Sequence, residues 1–112
     1  MTITERPLAS ATVLDLSGGL TLADGVDLLR AQIRRLLQEG QSHIELNLAA
    51  VPDMDSAGLG ELVGSYLAVT RQGGHLTLLN TPRHVRSMLA VTKLSAVFGL
   101  SESVSPAEIG KP

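Results

Sequence analysis

The residues of this chain best placed for chemistry lie in a short segment, MDSAGLG, at positions 54–60. Ser56 supplies the hydroxyl group of this segment, and Asp53 and Asp55 place carboxylates beside it. A serine where a strand feeds a helix lies near unpaired backbone N–H groups and the positive end of the helix dipole. A phosphoryl group at that position would meet those donors. The same pattern is typical of plain helix capping, either by Ser56 or by Asp55 with Ser56 as the first helical residue.

The elements on either side of this segment are a strand and a helix. Residues 43–48, HIELNL, alternate apolar and polar side chains, which is the period of a strand with one covered face. After the segment, apolar residues recur at helical spacing, and Gln72-Gly73-Gly74 ends the predicted helix. The stripe that this pattern predicts to be buried consists of Leu59, Leu62, Val63, Tyr66, Leu67 and Thr70.

A second stripe on the same predicted helix contains only small residues: Ala57, Gly60, Gly64 and Ala68. Each glycine inside a helix costs about 1 kcal/mol relative to alanine. Three hypotheses account for this cost on an outward face. The stripe forms a flat surface near Ser56 for a docking partner, it packs closely against a neighbouring loop, or the helix simply tolerates these small residues.

The chain before this segment predicts two strands and a helix. A short edge strand around Ile3 ends at Pro7, and residues 11–17 alternate as a second strand before Gly18-Gly19. Thr21 and Asp24 have the spacing of a capping box, which predicts a helix from there to about Gln38, followed by Gly40. Its predicted buried stripe is Leu22, Val26, Leu29, Ile33, Leu36 and Leu37.

The chain after this segment predicts a strand, a helix and a final strand. Residues 76–78 alternate as a strand that closes near Asn80. Thr81-Pro82 is typical of an N-cap followed by proline at the first helical position, with Val85, Met88 and Leu89 buried. Residues 94–100 are predicted to turn into a short final strand, and residues 107–109 to form at most a short helix.

Strands joined by single helices predict right-handed crossovers and a largely parallel sheet. Because the clearest strands alternate rather than being apolar throughout, we expect the helices mainly on one face of the sheet. The fold class is therefore α/β, with a mixed, largely parallel sheet of four to five strands. We expect one domain over residues 1–112, with a core at about 11–100 and polar tails at 1–10 and 101–112.

Composition argues against several functional classes. The net charge is -2 and only 2% of residues are aromatic, which disfavours nucleic acid as a partner. The sequence contains no cysteine, which excludes thiolate chemistry and disulfides. No apolar run has membrane-spanning length, and the polar N-terminus is unlike a signal peptide. We expect a cytoplasmic protein without membrane insertion.

Enzymatic motifs are incomplete, so we expect no catalytic residues, cofactor or metal. A nucleophile elbow needs glycine two residues before its serine, where this chain has Met54. The glycines after the strand do not fit a dinucleotide fingerprint, because Val63 occupies the third position. The histidines are far apart in sequence, and His43 and His75 without a third ligand make a poor metal site.

The run Asp55-Ser56-Ala57-Gly58-Leu59-Gly60, between a Leu/Asn-rich strand and an amphipathic helix, resembles the STAS-domain family, the bacterial anti-sigma-factor antagonists. The resemblance extends from about Val13 to Leu100 and includes Gly73-Gly74 and the segment that begins with Thr81-Pro82. It implies a mixed sheet with helices on one side, in agreement with the strand pattern.

The resemblance also implies a role. The unphosphorylated protein would bind an anti-sigma factor that is itself a serine kinase; phosphorylation of Ser56 would end binding, and a serine phosphatase would restore it. Where many family members have an aspartate before the first helix, this chain has Thr21, with Asp24 as a substitute. The candidate partner-binding residues are Asp55, Ala57, Gly58, Gly60, Glu61, Gly64, Thr21 and Asp24.

Two other hypotheses stay open. The first is a constitutive STAS subunit of a stressosome-like assembly or a lipid-transport ATPase complex, in which Ser56 is not phosphorylated. The second is a small enzyme or ligand-binding domain that uses the histidines. A homodimer through the exposed sheet face also stays open.

Overall fold

The structure is a computed structural model, and it describes residues 1–99. In chain order its elements are strands β1 (Thr2–Pro7) and β2 (Thr12–Ser17), helix α1 (Val26–Gln38), strand β3 (His43–Ala50), helix α2 (Ser56–Arg71), strand β4 (His75–Leu79), helix α3 (Arg83–Val91) and a short 3-10 helix (Ser95–Phe98).

The strands form one four-stranded sheet in the order β1-β2-β3-β4. Strand β1 pairs antiparallel with β2, whereas β2, β3 and β4 pair in parallel. The predicted mixed, largely parallel sheet is confirmed, and so is the edge strand that ends at Pro7. Proline is tolerated at this point because β1 lies at the edge of the sheet.

One face of the sheet is buried beneath the three helices. Strand β3 contributes Ile44, Leu46 and Leu48 to this face, and β4 contributes Leu76 and Leu78. These side chains share one apolar core with residues of all three helices: Leu29, Ile33, Leu62, Val69, Val85 and Leu89. The predicted placement of the helices on one face of the sheet is therefore confirmed.

Helix α1 begins later than its predicted capping box. Thr21 and Asp24 form a tight turn with each other, in which the Thr21 N–H donates to the Asp24 carbonyl at 2.7 Å and the Asp24 N–H to the Thr21 carbonyl at 3.1 Å. Gly25, with φ +93°, then precedes the helix at Val26. The prediction that Leu22 lies on the buried stripe is wrong, because its side chain is 76% exposed.

Helix α2 buries the predicted stripe in part and a polar side in addition. Of the predicted residues, Leu62 is buried, three pack partly buried against the core, and two are exposed: Leu59, Val63 and Tyr66 in the first group, Leu67 and Thr70 in the second.

The additional buried residues are Gly58, Glu61, Ser65 and Val69. The pattern did not predict this side because α2 packs against α1 through a buried polar contact, which hydrophobic periodicity does not detect.

Two predictions near the C-terminus are also corrected. Pro82, not Thr81, is the N-cap of α3, and the helix begins at Arg83. The predicted final strand is wrong where the structure describes it, since Ser95–Phe98 form a 3-10 helix that ends at Gly99 with φ +71°. Leu100 and the short helix predicted at 107–109 lie outside the described residues.

Candidate functional site

Two loops meet at one end of the sheet and form the candidate site. The loop from β2 to α1 and the loop from β3 to α2 both follow the carboxyl ends of adjacent parallel strands, where α/β sheets form their sites. The Leu20 N–H donates to the Asp53 carbonyl at 3.0 Å, and the Asp55 N–H lies 3.4 Å from the Leu20 carbonyl. Leu20 and Met54 also form an isolated parallel bridge. The two loops are therefore joined into one surface.

Asp55 caps helix α2 and also links the two loops. One carboxylate oxygen accepts from the Gly58 N–H at 2.9 Å, and the other accepts from the Leu22 N–H at 3.1 Å. The bond from Gly58, followed by that from Leu22, holds the pKa of the Asp55 carboxyl below its usual range. Of the two capping interpretations, the structure supports the one in which Asp55 is the N-cap.

Ser56 is the first residue of α2, and its side chain is exposed. Among residues 1–99, the structure gives its hydroxyl no hydrogen-bonding partner. The capping role is already filled by Asp55, so the Ser56 hydroxyl is not needed to stabilise the helix end. It stands at the positive end of a helix of 16 residues.

The turn formed by Thr21 and Asp24 belongs to the loop from β2 to α1. This loop is joined to the start of α2 by the bond from the Leu22 N–H to the Asp55 carboxylate. The Thr21 hydroxyl accepts from the Asp24 N–H at 3.1 Å. The Asp24 side chain is half-exposed and pairs with the amino group of Met1 at 2.6 Å. Leu22 was not predicted to be a site residue, because its helical spacing from Val26 placed it on the buried stripe of α1. In the structure it is an exposed apolar side chain of this loop.

Gly58 and Glu61 have internal structural roles. A β-carbon at Gly58 would lie 1.9 Å from the Leu20 carbonyl oxygen, so glycine is required for the loop to approach the helix. Glu61 is only 7% exposed; its carboxylate accepts from Arg30 of α1 at 3.0 Å and from the Ser65 hydroxyl at 3.2 Å. The predicted contact of these two residues with a partner stays a prediction, and Glu61 also lines a groove between α1 and α2.

The stripe of small residues on α2 lines a groove between α1 and α2. The groove has a volume of about 750 Å³. It begins at Leu22 and Ala57, beside Ser56, and reaches Gln38 and Gln72 at the other end of the two helices. Close packing of the stripe against a loop, one of the three hypotheses from the sequence, is not observed at Gly60 or Gly64 within residues 1–99. A β-carbon on either would have no neighbour within 4 Å in that part of the chain.

The open face of the sheet is polar and internally hydrogen-bonded. Arg6 bonds Asp15 across β1 and β2, the Asn47 amide donates to Asp15 at 2.7 Å, and the Asn80 amide donates to Asn47 at 3.0 Å. The bonds from Arg6 and then Asn47 hold the pKa of the Asp15 carboxyl below its usual range. A homodimer through this face stays a prediction.

His43 and His75 are neighbours on β3 and β4, with ring centroids 5.1 Å apart and nearly parallel planes. Within residues 1–99, no three side chains of metal-binding type are close enough together to hold an ion. None of the helices in that range combines the length and apolar character needed to cross a bilayer.

A protein-family model described as the STAS domain matches residues 2–107. The chain belongs to the STAS-domain family. It is 33% identical to the anti-sigma-B factor antagonist of Bacillus subtilis strain 168 over 73 residues, which cover 65% of this chain and 66% of that protein. It is 28% identical to the anti-sigma F factor antagonist of Paenibacillus polymyxa over 78 residues, covering 69% and 67%. The match thus spans about two thirds of each relative's length.

Solved structures of other proteins share the fold. The phosphorylated form of SpoIIAA, a Bacillus cell fate determinant, superposes with a TM-score of 0.71 at 21% identity, covering 98% of both chains. An anti-sigma factor antagonist from Mycobacterium paratuberculosis superposes with a TM-score of 0.77 at 18% identity, covering 92% of this chain and 86% of the other. At these identities, the likeness establishes the fold of the STAS chain and leaves its function to be argued from its own residues.

Proposed function

We propose that this STAS protein is an anti-sigma-factor antagonist and that phosphorylation of Ser56 switches it off. It acts as a binding protein in the cytoplasm, not as an enzyme. The observation that carries the proposal is the division of roles at the start of α2. Asp55 caps the helix, and Ser56 exposes a hydroxyl without a partner among the described residues. The naming of its relatives as anti-sigma factor antagonists supports the same role.

The partner in this proposal is an anti-sigma factor with serine kinase activity. Its contact surface is centred on Ser56 and includes Asp55, Ala57 and the turn formed by Thr21 and Asp24. It continues along α2 to Gly60 and Gly64. Leu22 adds an exposed apolar side chain to this surface. A serine phosphatase would return the protein to its binding state.

Charge explains how a phosphoryl group would end binding. The modification adds about -1.5 to -2 charges at neutral pH. It would join the carboxylates of Asp53, Asp55 and Asp24, which already lie on the two joined loops. Enclosing that charge between two proteins would carry a large desolvation penalty unless the partner supplied cations.

The test combines a phosphopeptide map with binding measurements. We expect the protein purified from its native host to carry one phosphoryl group on Ser56, and Ser56→Ala to carry none. The purified anti-sigma factor kinases of that host are then titrated against the recombinant protein. We expect the protein and Ser56→Ala to bind one of them, and Ser56→Asp to bind at least tenfold more weakly.

Equal affinity of Ser56→Asp and the unmodified protein would contradict the switch. A protein that stays unmodified under several growth conditions, and that co-purifies with a large assembly, would instead support the constitutive STAS subunit. Ser56→Thr is the conservative control, because it keeps a hydroxyl that a kinase can modify.

A further inference from the structure

The groove between α1 and α2 has open space beside two glycines of α2. Among residues 1–99, a β-carbon at Gly60 or Gly64 would have no neighbouring atom within 4 Å, whereas one at Gly58 would lie 1.9 Å from the Leu20 carbonyl oxygen. Glycine inside a helix is less favourable than alanine. The close approach of Leu20 thus explains Gly58, but Gly60 and Gly64 weaken α2 without allowing a close contact with any other part of residues 1–99.

The length of the groove matches that of a helix of about four turns. From Ala57 to Gln72 it follows α2 for about 22 Å, or four helical turns, at 1.5 Å per residue. Its α2 wall consists mostly of small side chains, with Glu61 between them and Gln72 at the end. Its α1 wall includes the apolar residues Val26, Ile33 and Leu37. Small residues along one wall allow the backbone of a docked helix to approach closely, and an apolar groove is how proteins take up amphipathic helices.

The charge at the rim of the groove is positive. Arg34 lines the groove, is exposed, and has no ion pair among residues 1–99. Arg30 lies one turn earlier, where it neutralises the buried carboxylate of Glu61 at 3.0 Å. The groove therefore has an apolar floor beside one uncompensated cation, which is complementary to an apolar stripe flanked by an acidic side chain.

We propose that this groove holds an amphipathic helix of the anti-sigma factor. Small or aliphatic side chains of that helix face Gly60 and Gly64, and an acidic side chain meets Arg34. The inference rests on the proposed function and names the part of the partner that would occupy the surface at Gly60 and Gly64. A second copy of this chain fits less well, because a symmetric contact through the groove would oppose two concave surfaces edged by the same cation.

Filling the groove is the first test. The probe is the purified anti-sigma factor that binds the unmodified protein, measured by calorimetric titration. We expect Gly60→Leu and Gly64→Leu each to lower affinity at least tenfold. We also expect Gly60→Ala to raise the midpoint of thermal unfolding by several degrees while lowering affinity, so that stability and binding change in opposite directions.

The matched control is Thr70→Ala. Thr70 is an exposed residue of α2 outside the groove lining, so its replacement by a better helix former strengthens the same helix without filling the groove. We expect its affinity to equal that of the unmodified protein. A loss of affinity in Thr70→Ala would show that helix stability, not groove filling, explains the glycine variants, and would overturn the proposal.

The charge is tested by Arg34→Glu against Arg71→Glu. Both variants change the net charge by the same amount, but Arg71 lies outside the groove lining. We expect only Arg34→Glu to lower affinity by tenfold or more at physiological salt. Equal effects of the two variants would indicate long-range charge attraction and would contradict a specific contact at Arg34.

The outcomes separate the two proposals. If no anti-sigma factor binds the unmodified protein, the proposed function and the groove proposal both fail. If Ser56→Asp loses binding but Gly60→Leu binds normally, only the groove proposal fails. If the protein sediments as a dimer that Gly60→Leu dissociates, the occupant is a second copy, and the proposal of a partner helix is overturned.

Discussion

The cap of α2 is formed by Asp55, which leaves the hydroxyl of the neighbouring Ser56 exposed at the helix end. Asp55 accepts from Gly58 at 2.9 Å, so the strongest capping interaction does not depend on the serine. Had Ser56 been the N-cap, phosphorylation would have replaced a stabilising hydroxyl bond. Because it is instead the first helical residue, a phosphoryl group can be added and removed without loss of the cap.

Replacing Asp55 tests the link between the two loops. We expect Asp55→Ala to lower the midpoint of thermal unfolding by several degrees, because it removes the acceptor of the Gly58 and Leu22 N–H groups. Asp55→Asn keeps one carbonyl acceptor and should be affected less. The measurement is thermal unfolding followed by circular dichroism, and an unchanged midpoint in Asp55→Ala would contradict the capping role.

Two carboxyl groups predict how stability depends on pH. The pKa of Asp55 is lowered by the Gly58 and Leu22 N–H groups, and that of Asp15 by Arg6 and Asn47. Since each pKa is lower in the folded state, the stabilisation is fully present above the unfolded value of about 4 and is lost as pH falls through the folded values. We expect urea unfolding to show a flat free energy from pH 5 to 7 and a decline at lower pH.

Asn variants identify which group is responsible for that decline. Asp15→Asn and Asp55→Asn should each reduce the slope of the unfolding free energy below about pH 4, because the titrating carboxyl is gone. Asp27→Asn is the control, since Asp27 is almost fully exposed and its contact with Arg30 is long, at 3.6 Å. If neither Asp15→Asn nor Asp55→Asn changed the slope of the unfolding free energy below about pH 4, these two carboxyl groups would not be the cause of the decline.

At the scale of elements, helix α2 contains one glycine that the packing requires, Gly58, and one that it does not, Gly60. Substitution by alanine should therefore change stability in opposite directions at these two positions. We expect Gly58→Ala to destabilise the fold by about 2 kcal/mol or more, because the added methyl would overlap the Leu20 carbonyl at 1.9 Å. Gly60→Ala should stabilise it by about 0.5–1 kcal/mol, because the methyl enters open space. Urea unfolding of both variants measures the difference, and changes of the same sign would contradict these roles.

The contact between α1 and α2 depends on a buried carboxylate. We expect Arg30→Ala to destabilise by about 1–2 kcal/mol, because the carboxylate of Glu61, which is 7% exposed, would lose its cation. The value is below that of a fully buried pair because Arg30 is itself half-exposed. In a double-mutant cycle, Glu61→Gln should cost less when Arg30 is already alanine, and strict additivity would contradict the interaction.

At the scale of the whole molecule, the proposed switch changes surface charge and leaves the fold intact. Ser56 is exposed and belongs to no buried network, so Ser56→Asp has no packing to disturb. We expect its amide resonances to shift only in the loops at 19–25 and 53–55 and in the first turn of α2. Its midpoint of unfolding should be unchanged or higher, because negative charge is favoured at a helix N-terminus. Shifts throughout β4 and α3 would indicate a conformational switch instead.

Much of the fold could be predicted because local patterns and the topology agree. Alternation in residues 43–48 defined a strand with one covered face, and Gly40 and Gly73 marked the ends of α1 and α2. The covered face in turn implied helices on one side. The site was also found locally, since a serine and an aspartate between a strand and a helix restrict the chemistry to capping and anion binding.

What the sequence could not determine depends on contacts between distant residues. The bond from Leu22 to Asp55 spans 33 residues and joins the loop before α1 to the start of α2. That loop is a turn closed by Thr21 and Asp24, so α1 begins at Val26 and not at the capping-box pattern. The pair of Arg30 and Glu61 spans 31 residues and turns a polar side of α2 inward. Periodicity records the polarity of each residue, but not which polar groups satisfy one another across the fold. The strand pattern and the serine were therefore fixed by sequence, whereas the joining of the two loops, the polar side that α2 buries and the groove were decided by tertiary structure.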